Sequence, residues 1–373
     1  MNKKIHVLQF VPNLGKNSGI AHVLMEYFKV INNDIIYDFV YFNEVDNEVD
    51  NSYKAEIKKL GGVFFKLPSP FNLVKFNREW KKFCKDNYGK YDVFENNLPF
   101  LGVLFSSVKD RLGVKVDITH SHVTKFGDRK FSDFRNKLFF ILTGQNVGDI
   151  LFSCSSEAGK KIFGKKCQLK EWHIINNAFK IEKFAFNGKK RDAVRANMGW
   201  SNKKVIGNIG RLVPQKNQKL ILEAFARLES DNCLLVIVGE GYLKEPLENE
   251  AKRLKIEDKV EFLGTRNDIS DLLQAFDAFY FPSIFEGLGV SLVEAQIAGL
   301  PALISNTIPT EAIISNCIIE NLDSSIIDWE RKLEQVLVMK REKNGVYLAR
   351  SHGFDLDLES IKLIKLYQNI LAR

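Results

Sequence analysis

Residues 282–295 run Pro282-Ser283-Ile284-Phe285-Glu286-Gly287-Leu288-Gly289-Val290-Ser291-Leu292-Val293-Glu294-Ala295. They follow a short apolar run, Ala278–Phe281, and lead into a helical pattern, Val290–Ala298. A strand, a glycine-bearing loop and a helix in that order make a βα unit. In open α/β sheets ligands bind beyond the carboxyl ends of the strands, where such loops lie. Gly287-Leu288-Gly289 would present amides at the positive end of a helix dipole. Glu286 stands at the mouth of this loop and Glu294 two turns behind it. A carboxylate accepts two hydroxyl donors, which suits a ribose or a hexose. Taken singly, such a loop is better explained by a plain helix cap.

The same design recurs on neighbouring strands. Upstream of this loop, Val205–Ile209 is followed by Gly210-Arg211-Leu212-Val213-Pro214-Gln215-Lys216-Asn217, just before a helical segment at Leu220–Leu228. An Arg and a Lys five apart between a strand end and a helix start suit a diphosphate. Leu234–Val238 is followed by Gly239-Glu240-Gly241, a tight turn that lets backbone approach a ligand. Val260–Leu263 is followed by Gly264-Thr265-Arg266-Asn267-Asp268. Four such loops on consecutive strand ends outweigh the plain-cap explanation of any one.

The first half repeats the alternation, with strand candidates at Ile5–Phe10, Tyr37–Phe42, Val63–Leu67, Tyr91–Glu95, Asp117–Ser121, Ile150–Ser153 and His173–Ile175. A polar stretch from Asn176 to Lys190 reads as the linker. The pattern resumes through Ala302–Ile304. The expected division is a first α/β domain over residues 1–183, a second over 184–354, and a terminal helix, 355–373, packing back on the first.

Two sites in the first half carry polar chemistry. Asn17-Ser18-Gly19-Ile20 opens the first helix, and Asp117-Ile118-Thr119-His120-Ser121-His122 ends a strand in His-x-His. The period of two puts both imidazoles on one face. Zinc binding would need further ligands, and none is suitably spaced. His120 also reads as a satisfied core histidine. Asp355-Leu356-Asp357 resembles a metal-binding D-x-D, but its place at a helix start favours Asp355 as an N-cap.

Together Gly210-Arg211 with Lys216, Gly239-Glu240-Gly241, Phe262-Leu263-Gly264, and Pro282-Ser283 followed by Glu286 and Glu294 resemble the motifs of glycosyltransferase family 4, the glycosyl transferases group 1. The similarity is strongest over residues 150–305. The resemblance implies a GT-B fold, two Rossmann-like domains facing each other across a cleft. It implies transfer of a sugar from a nucleotide-sugar donor, UDP by family habit, with retention of anomeric configuration. The acceptor would be a saccharide or a lipid-linked saccharide of bacterial surface polysaccharide, bound by the first domain. No metal or other cofactor is expected. Arg211 and Lys216 would bind the diphosphate and stabilise the leaving group. Glu294 would hold the ribose, Glu286 the donor sugar with the backbone of Gly287, Leu288 and Gly289, and the Thr265–Arg266 backbone would read the base. Gly19 would lie near the donor phosphates or the acceptor, although the family often has two adjacent glycines where this chain has Ser18-Gly19. His122 would face the transferred sugar.

Composition bounds the partners. The net charge is +8. Residues 1–185 hold 29 Lys and Arg against 20 Asp and Glu, and the remainder 25 against 26. A one-sided basic balance suits an anionic membrane or nucleic acid, or is simply a solvated surface. Leu73, Phe76, Trp80 and Phe83 share a helical face flanked by Lys75, Arg78, Lys82 and Lys85, and Lys125–Phe131 is a second basic-aromatic run. Both suit an anionic bilayer, while a core-facing stripe explains the first equally well. Scattered cysteines, no signal peptide and no apolar run of membrane-spanning length point to the cytoplasm.

Three rivals remain. A nicotinamide oxidoreductase lacks its G-x-G-x-x-G after the first strand. A nucleotide-sugar epimerase shares the two-domain fold. A nucleic-acid module leaves Glu286 and Glu294 unexplained, so no nucleic-acid partner is expected.

Overall fold

The computed structural model describes residues 4–16, 18–44, 51–122, 130–143 and 146–373, with the side chains of 130–132 outside the description. The chain forms two compact units, residues 1–179 with 355–373, and residues 180–354.

The first unit is built on seven parallel strands: β1 (Ile5–Phe10), β2 (Ile35–Tyr41), β3 (Phe64–Lys66), β4 (Val93–Asn96), β5 (Val116–Ser121), β6 (Ile150–Ser153) and β7 (Glu171–Ile174). Their order in the sheet is β3-β2-β1-β4-β5-β6-β7. Parallel strands covered on both faces need no polar alternation, and β2 is buried along its whole length. Val7 packs on one face with Leu24 and Phe28 of helix Gly19–Ile31 and with Leu363 and Tyr367 of the terminal helix, Leu356–Leu371. Leu8 and Phe10 pack on the other with Phe76, Trp80, Phe94 and Phe105. The terminal helix therefore completes the core of the first unit.

The second unit has six parallel strands: β8 (Lys204–Ile209), β9 (Cys233–Val238), β10 (Val260–Phe262), β11 (Ala278–Phe281), β12 (Ala302–Ser305) and β13 (Cys317–Glu320). Their order is β10-β9-β8-β11-β12-β13. In each sheet the order reverses direction once, between β1 and β4 and between β8 and β11. Such a switch point opens a crevice at the carboxyl edge of the sheet.

Two sequence expectations need correction. The polar stretch read as linker ends at Asn187, whose side chain accepts from the Lys190 amide and caps helix Gly188–Met198. That helix is largely exposed, so its composition lacks an apolar stripe. Strand β13 lies beyond the last strand expected, Ala302–Ile304, as a four-residue edge strand with one partner strand among the described residues and no fully buried residue.

Candidate functional site

At the switch point of the second unit, the loops after β8 and β11 are stitched together. The Ile284 amide donates to the Gln215 carbonyl at 2.8 Å, and Gln215 Nε2 donates to the Phe285 carbonyl at 2.9 Å. Asn217 Nδ2 reaches the Pro282 carbonyl at 3.3 Å. Ser291 Oγ, in the first turn of helix Val290–Ile297, donates to the Ile209 carbonyl at 3.0 Å, fixing the helix start over the end of β8. Gly289 leads into that helix at φ +87°, a conformation that disfavours side chains. First-turn amides have no intrahelical acceptor, so this end is an electropositive site.

Across the seam Lys216 Nζ meets Glu286 Oε1 at 2.7 Å, with side-chain exposures of 13% and 7%. The ammonium also lies 4.9 Å from the Phe281 ring centroid. The two loops thus place a cation and a carboxylate in contact, where the sequence suggested two separate contacts. Arg211 is exposed on the same loop as Lys216, and Glu294 is half-buried in the helix behind. Gly287 is half-buried beside Glu286, and the Leu288 side chain is buried, leaving only its backbone for a ligand.

The loops after β9 and β10 flank this seam on the β8 side. The Gly210 amide donates to Val238, the Leu212 amide to Glu240, and the Gly239 amide to Gly264. Gly239 has φ +134°, and a Cβ there would lie 2.1 Å from the Gly210 carbonyl oxygen. Glycine is required at that position by the neighbouring loop of the protein itself. Gly241 abuts the Leu212 backbone in the same way. Thr265 is exposed, while Arg266 turns onto Asp268 in a two-pronged ion pair and pulls that carboxylate below its usual range.

The switch point of the first unit carries a buried polar cluster that motif reading largely missed. Gln9 on β1 lies opposite Glu95 on β4. Gln9 Nε2 donates to Glu95 Oε2 at 2.9 Å, and Asn97 Nδ2 donates to Gln9 Oε1 at 2.8 Å. Glu95 Oε2 also accepts from the Tyr367 hydroxyl, and Oε1 lies 2.7 Å from His120 Nδ1. His122 Nε2 lies 2.7 Å from Asn97 Oδ1. The two imidazoles sit 3.9 Å apart, so both histidines do share one face. Burial, with His120 adding to it, holds His122 well below the usual histidine range, so it is neutral. A polar residue near the end of an otherwise apolar buried strand, as Gln9 and Glu95 are, was the signal available in the sequence. Gly19 opens its helix with open space about it, next to the Ser18 cap. Asn17 lies outside the described residues.

Two further expectations are settled by side-chain placement. Asp355 caps the terminal helix, accepting from the Asp357 and Leu358 amides. Phe76, Trp80 and Phe83 are buried in the core, so this stripe faces the protein and is closed to a bilayer. Their helix keeps Lys75, Arg78, Lys82 and Lys85 exposed. Residues 125–129 of the second basic-aromatic run lie outside the described residues, as do the side chains of Lys130 and Phe131. Among the described residues no helix is long and apolar enough to cross a membrane.

Two doubly wound parallel sheets with a polar seam at each switch point form an architecture in which ligands bind at the carboxyl edge of the strands. Residues 190–338 match the model of the family described as glycosyl transferases group 1. A Bacillus subtilis (strain 168) protein carrying the name glycosyltransferase EpsF is 30% identical, over 81% of this chain and 79% of that one. An Escherichia coli UDP-Gal:alpha-D-GlcNAc-diphosphoundecaprenol alpha-1,3-galactosyltransferase is 27% identical, over 84% and 82%. The crystal structure of Anabaena HepE with UDP-glucose superposes with a TM-score of 0.76 at 17% identity, over 98% of this chain and 100% of that one. The chain belongs to the glycosyl transferases group 1 family. It is a glycosyltransferase of GT-B fold, from a family that retains anomeric configuration.

Proposed function

We propose that the chain moves a hexose from a UDP-sugar to a lipid-linked saccharide in bacterial surface polysaccharide synthesis, with the donor held by the second unit. The observation that carries this is the Lys216–Glu286 contact across the β8/β11 switch point, beneath the start of helix Val290–Ile297. The donor diphosphate would take Lys216 and Arg211 as counter-charges, with the helix dipole behind them. As the glycosidic bond breaks, negative charge builds on the departing UDP, and these groups stabilise it without a metal. Glu286, relieved of Lys216, would accept hydroxyl donors of the transferred sugar, while the amides of Gly287 to Gly289 approach it from below. Glu294 would take the ribose hydroxyls, and the backbone at Thr265–Arg266 the base. Gly19 and His122 are assigned to the substrate side of the first unit, His122 to the transferred sugar. The name of the Escherichia coli relative, which acts on a diphosphoundecaprenol-linked sugar, supports this class of acceptor.

A lipid-linked acceptor needs a surface that meets the bilayer. Phe134, Leu138, Ile141 and Leu142 recur at i, i+4, i+7 and i+8 on helix Lys130–Leu142, and all four are exposed. The Arg135 guanidinium lies 4.5 Å from the centroid of Phe71, which joins exposed Leu73 and Val74 to the same area. Exposed Lys75, Arg78 and Lys137 lie on the same two helices. This apolar ground with basic neighbours fits an anionic membrane surface, and it replaces the buried Phe76–Trp80–Phe83 stripe in that role.

The test is turnover. Arg211→Ala and Lys216→Ala should each lower sugar transfer by at least ~10²-fold in folded protein. Near-normal transfer by either variant removes that residue from the site. UDP release without acceptor would instead indicate hydrolysis or epimerase-like chemistry.

A further inference from the structure

The polar cluster of the first unit has a direction. The Gln9 amide turns its Nε2–H to Glu95 Oε2, the oxygen that also accepts from the Tyr367 hydroxyl. That orientation points Gln9 Oε1 at Asn97. Asn97 Nδ2 is surrounded by three acceptors, Gln9 Oε1, the Phe10 carbonyl at 3.2 Å and the Glu95 carbonyl at 3.4 Å. The Asn97 backbone amide donates to the Phe10 carbonyl, which fixes the residue from behind. Its Oδ1 is thereby the atom presented to His122, at 2.7 Å. Carbonyl oxygens accept, so His122 Nε2 must carry the proton. In a neutral imidazole Nδ1 is then a bare lone pair, and among the described residues it finds no hydrogen-bond partner although it is buried. His120 repeats the pattern in mirror form. Its Nδ1 faces the Glu95 carboxylate, and its Nε2 is likewise buried without a partner among the described residues.

We propose that Asn97, oriented by Glu95 through Gln9, is a positioning residue that locks His122 in the Nε2–H tautomer. Nδ1 is then presented as the acceptor for a substrate hydroxyl. The inference rests on the assignment of His122 to the transferred sugar and specifies what the imidazole does there. It accepts a hydroxyl proton in a hydrogen bond, a role that the opposite tautomer could not fill because Nδ1 would carry hydrogen. Tyr367 extends the relay to the terminal helix. Its hydroxyl donates to the same Glu95 oxygen as Gln9, so the last turns of the chain help to fix the imidazole.

The experiment is a proton–nitrogen correlation spectrum of the full chain with nitrogen-15-labelled histidine. The His122 signals are assigned by their loss in His122→Gln. The expected spectrum shows His122 as the Nε2–H tautomer in wild type. In Asn97→Leu the signals move toward the Nδ1–H or a mixed form. Transfer by Asn97→Leu falls about tenfold or more in kcat, with UDP affinity unchanged, as expected for one lost hydrogen bond to the reacting sugar. The Gln9→Met variant, which leaves Asn97 in place but removes its orienting partner, should show the same change in weaker form. A wild-type spectrum with Nδ1–H overturns the proposal, and needs no variant to fold. So does an Asn97→Leu spectrum unchanged from wild type. If the tautomer shifts as expected but His122→Ala transfers sugar at the wild-type rate, the role of His122 fails while the relay stands.

Discussion

Replacing Lys216 by Met leaves the Glu286 carboxylate without the cation it meets at 2.7 Å, in a place where only 7% of its side chain reaches solvent. Breaking a buried pair costs about 3–5 kcal/mol where the surviving charge is left uncompensated, and the further interaction of Glu286 puts this case at the lower end. The pair sits in the second unit, residues 180–354, for which ~1 kcal/mol corresponds to about 2–4 °C in melting temperature. Lys216→Met should therefore lower that unit's transition by roughly 6–12 °C at the lower end of the cost. Glu286→Gln should cost less, because the freed ammonium keeps its contact with Phe281 and reaches some water. The double variant should recover part of the loss, with a coupling of about 1–3 kcal/mol. Differential scanning calorimetry of the four proteins measures this. Saturating UDP should shrink the coupling, because the diphosphate competes for Lys216. If the single effects add to within ~0.5 kcal/mol, the two side chains act independently and the seam is not the coupled unit described. A coupling untouched by UDP would place the diphosphate elsewhere.

Three shorter expectations follow from other parts of the chain. Glu294→Gln should weaken calorimetric binding of UDP, and an unchanged affinity would remove the ribose contact. Burial, reinforced by Asp149 and opposed by Lys170 and Lys109, raises Asp117 to about 7. A folded value above the unfolded one means that the stabilising protonated form is present at low pH and lost as pH rises through about 7. Asp117→Asn should thus gain stability over wild type at pH 8, by at most ~4 kcal/mol, and the gain should vanish below pH 4 in chemical denaturation. A gain independent of pH would refute it. Finally, Lys75→Gln with Arg78→Gln and Phe134→Ser with Ile141→Ser should each reduce flotation with anionic vesicles at low salt and spare transfer to a soluble acceptor. Wild-type protein that ignores such vesicles would leave the surface without a bilayer role.

Much of the second unit was legible because its chemistry is local in sequence. Each ligand loop directly follows an apolar strand, so β8 to β11 and their loops could be read as four repeats of one pattern. The Lys216–Glu286 contact was not legible, since the residues are 70 apart and meet only because β8 and β11 are neighbours in the sheet. The same holds for Gln9, Glu95, Asn97 and Tyr367, which come from two strands, a loop and the last helix. The basic-aromatic helix shows the opposite failure. A periodic apolar stripe identifies a buried face without saying whether protein or lipid covers it, and Phe76, Trp80 and Phe83 turned out to face protein.

Retaining sugar transfer through Lys216 is tested by following one reaction by proton NMR. An α-configured UDP-hexose is incubated with the protein and a diphosphoundecaprenol-linked saccharide, and the anomeric signals are followed in time. UDP is expected to appear one-for-one with an α-linked product, only when acceptor is present, and at a greatly reduced rate in Lys216→Ala. A β-linked product, conversion of the donor into a different UDP-sugar, or undiminished transfer by Lys216→Ala would contradict it.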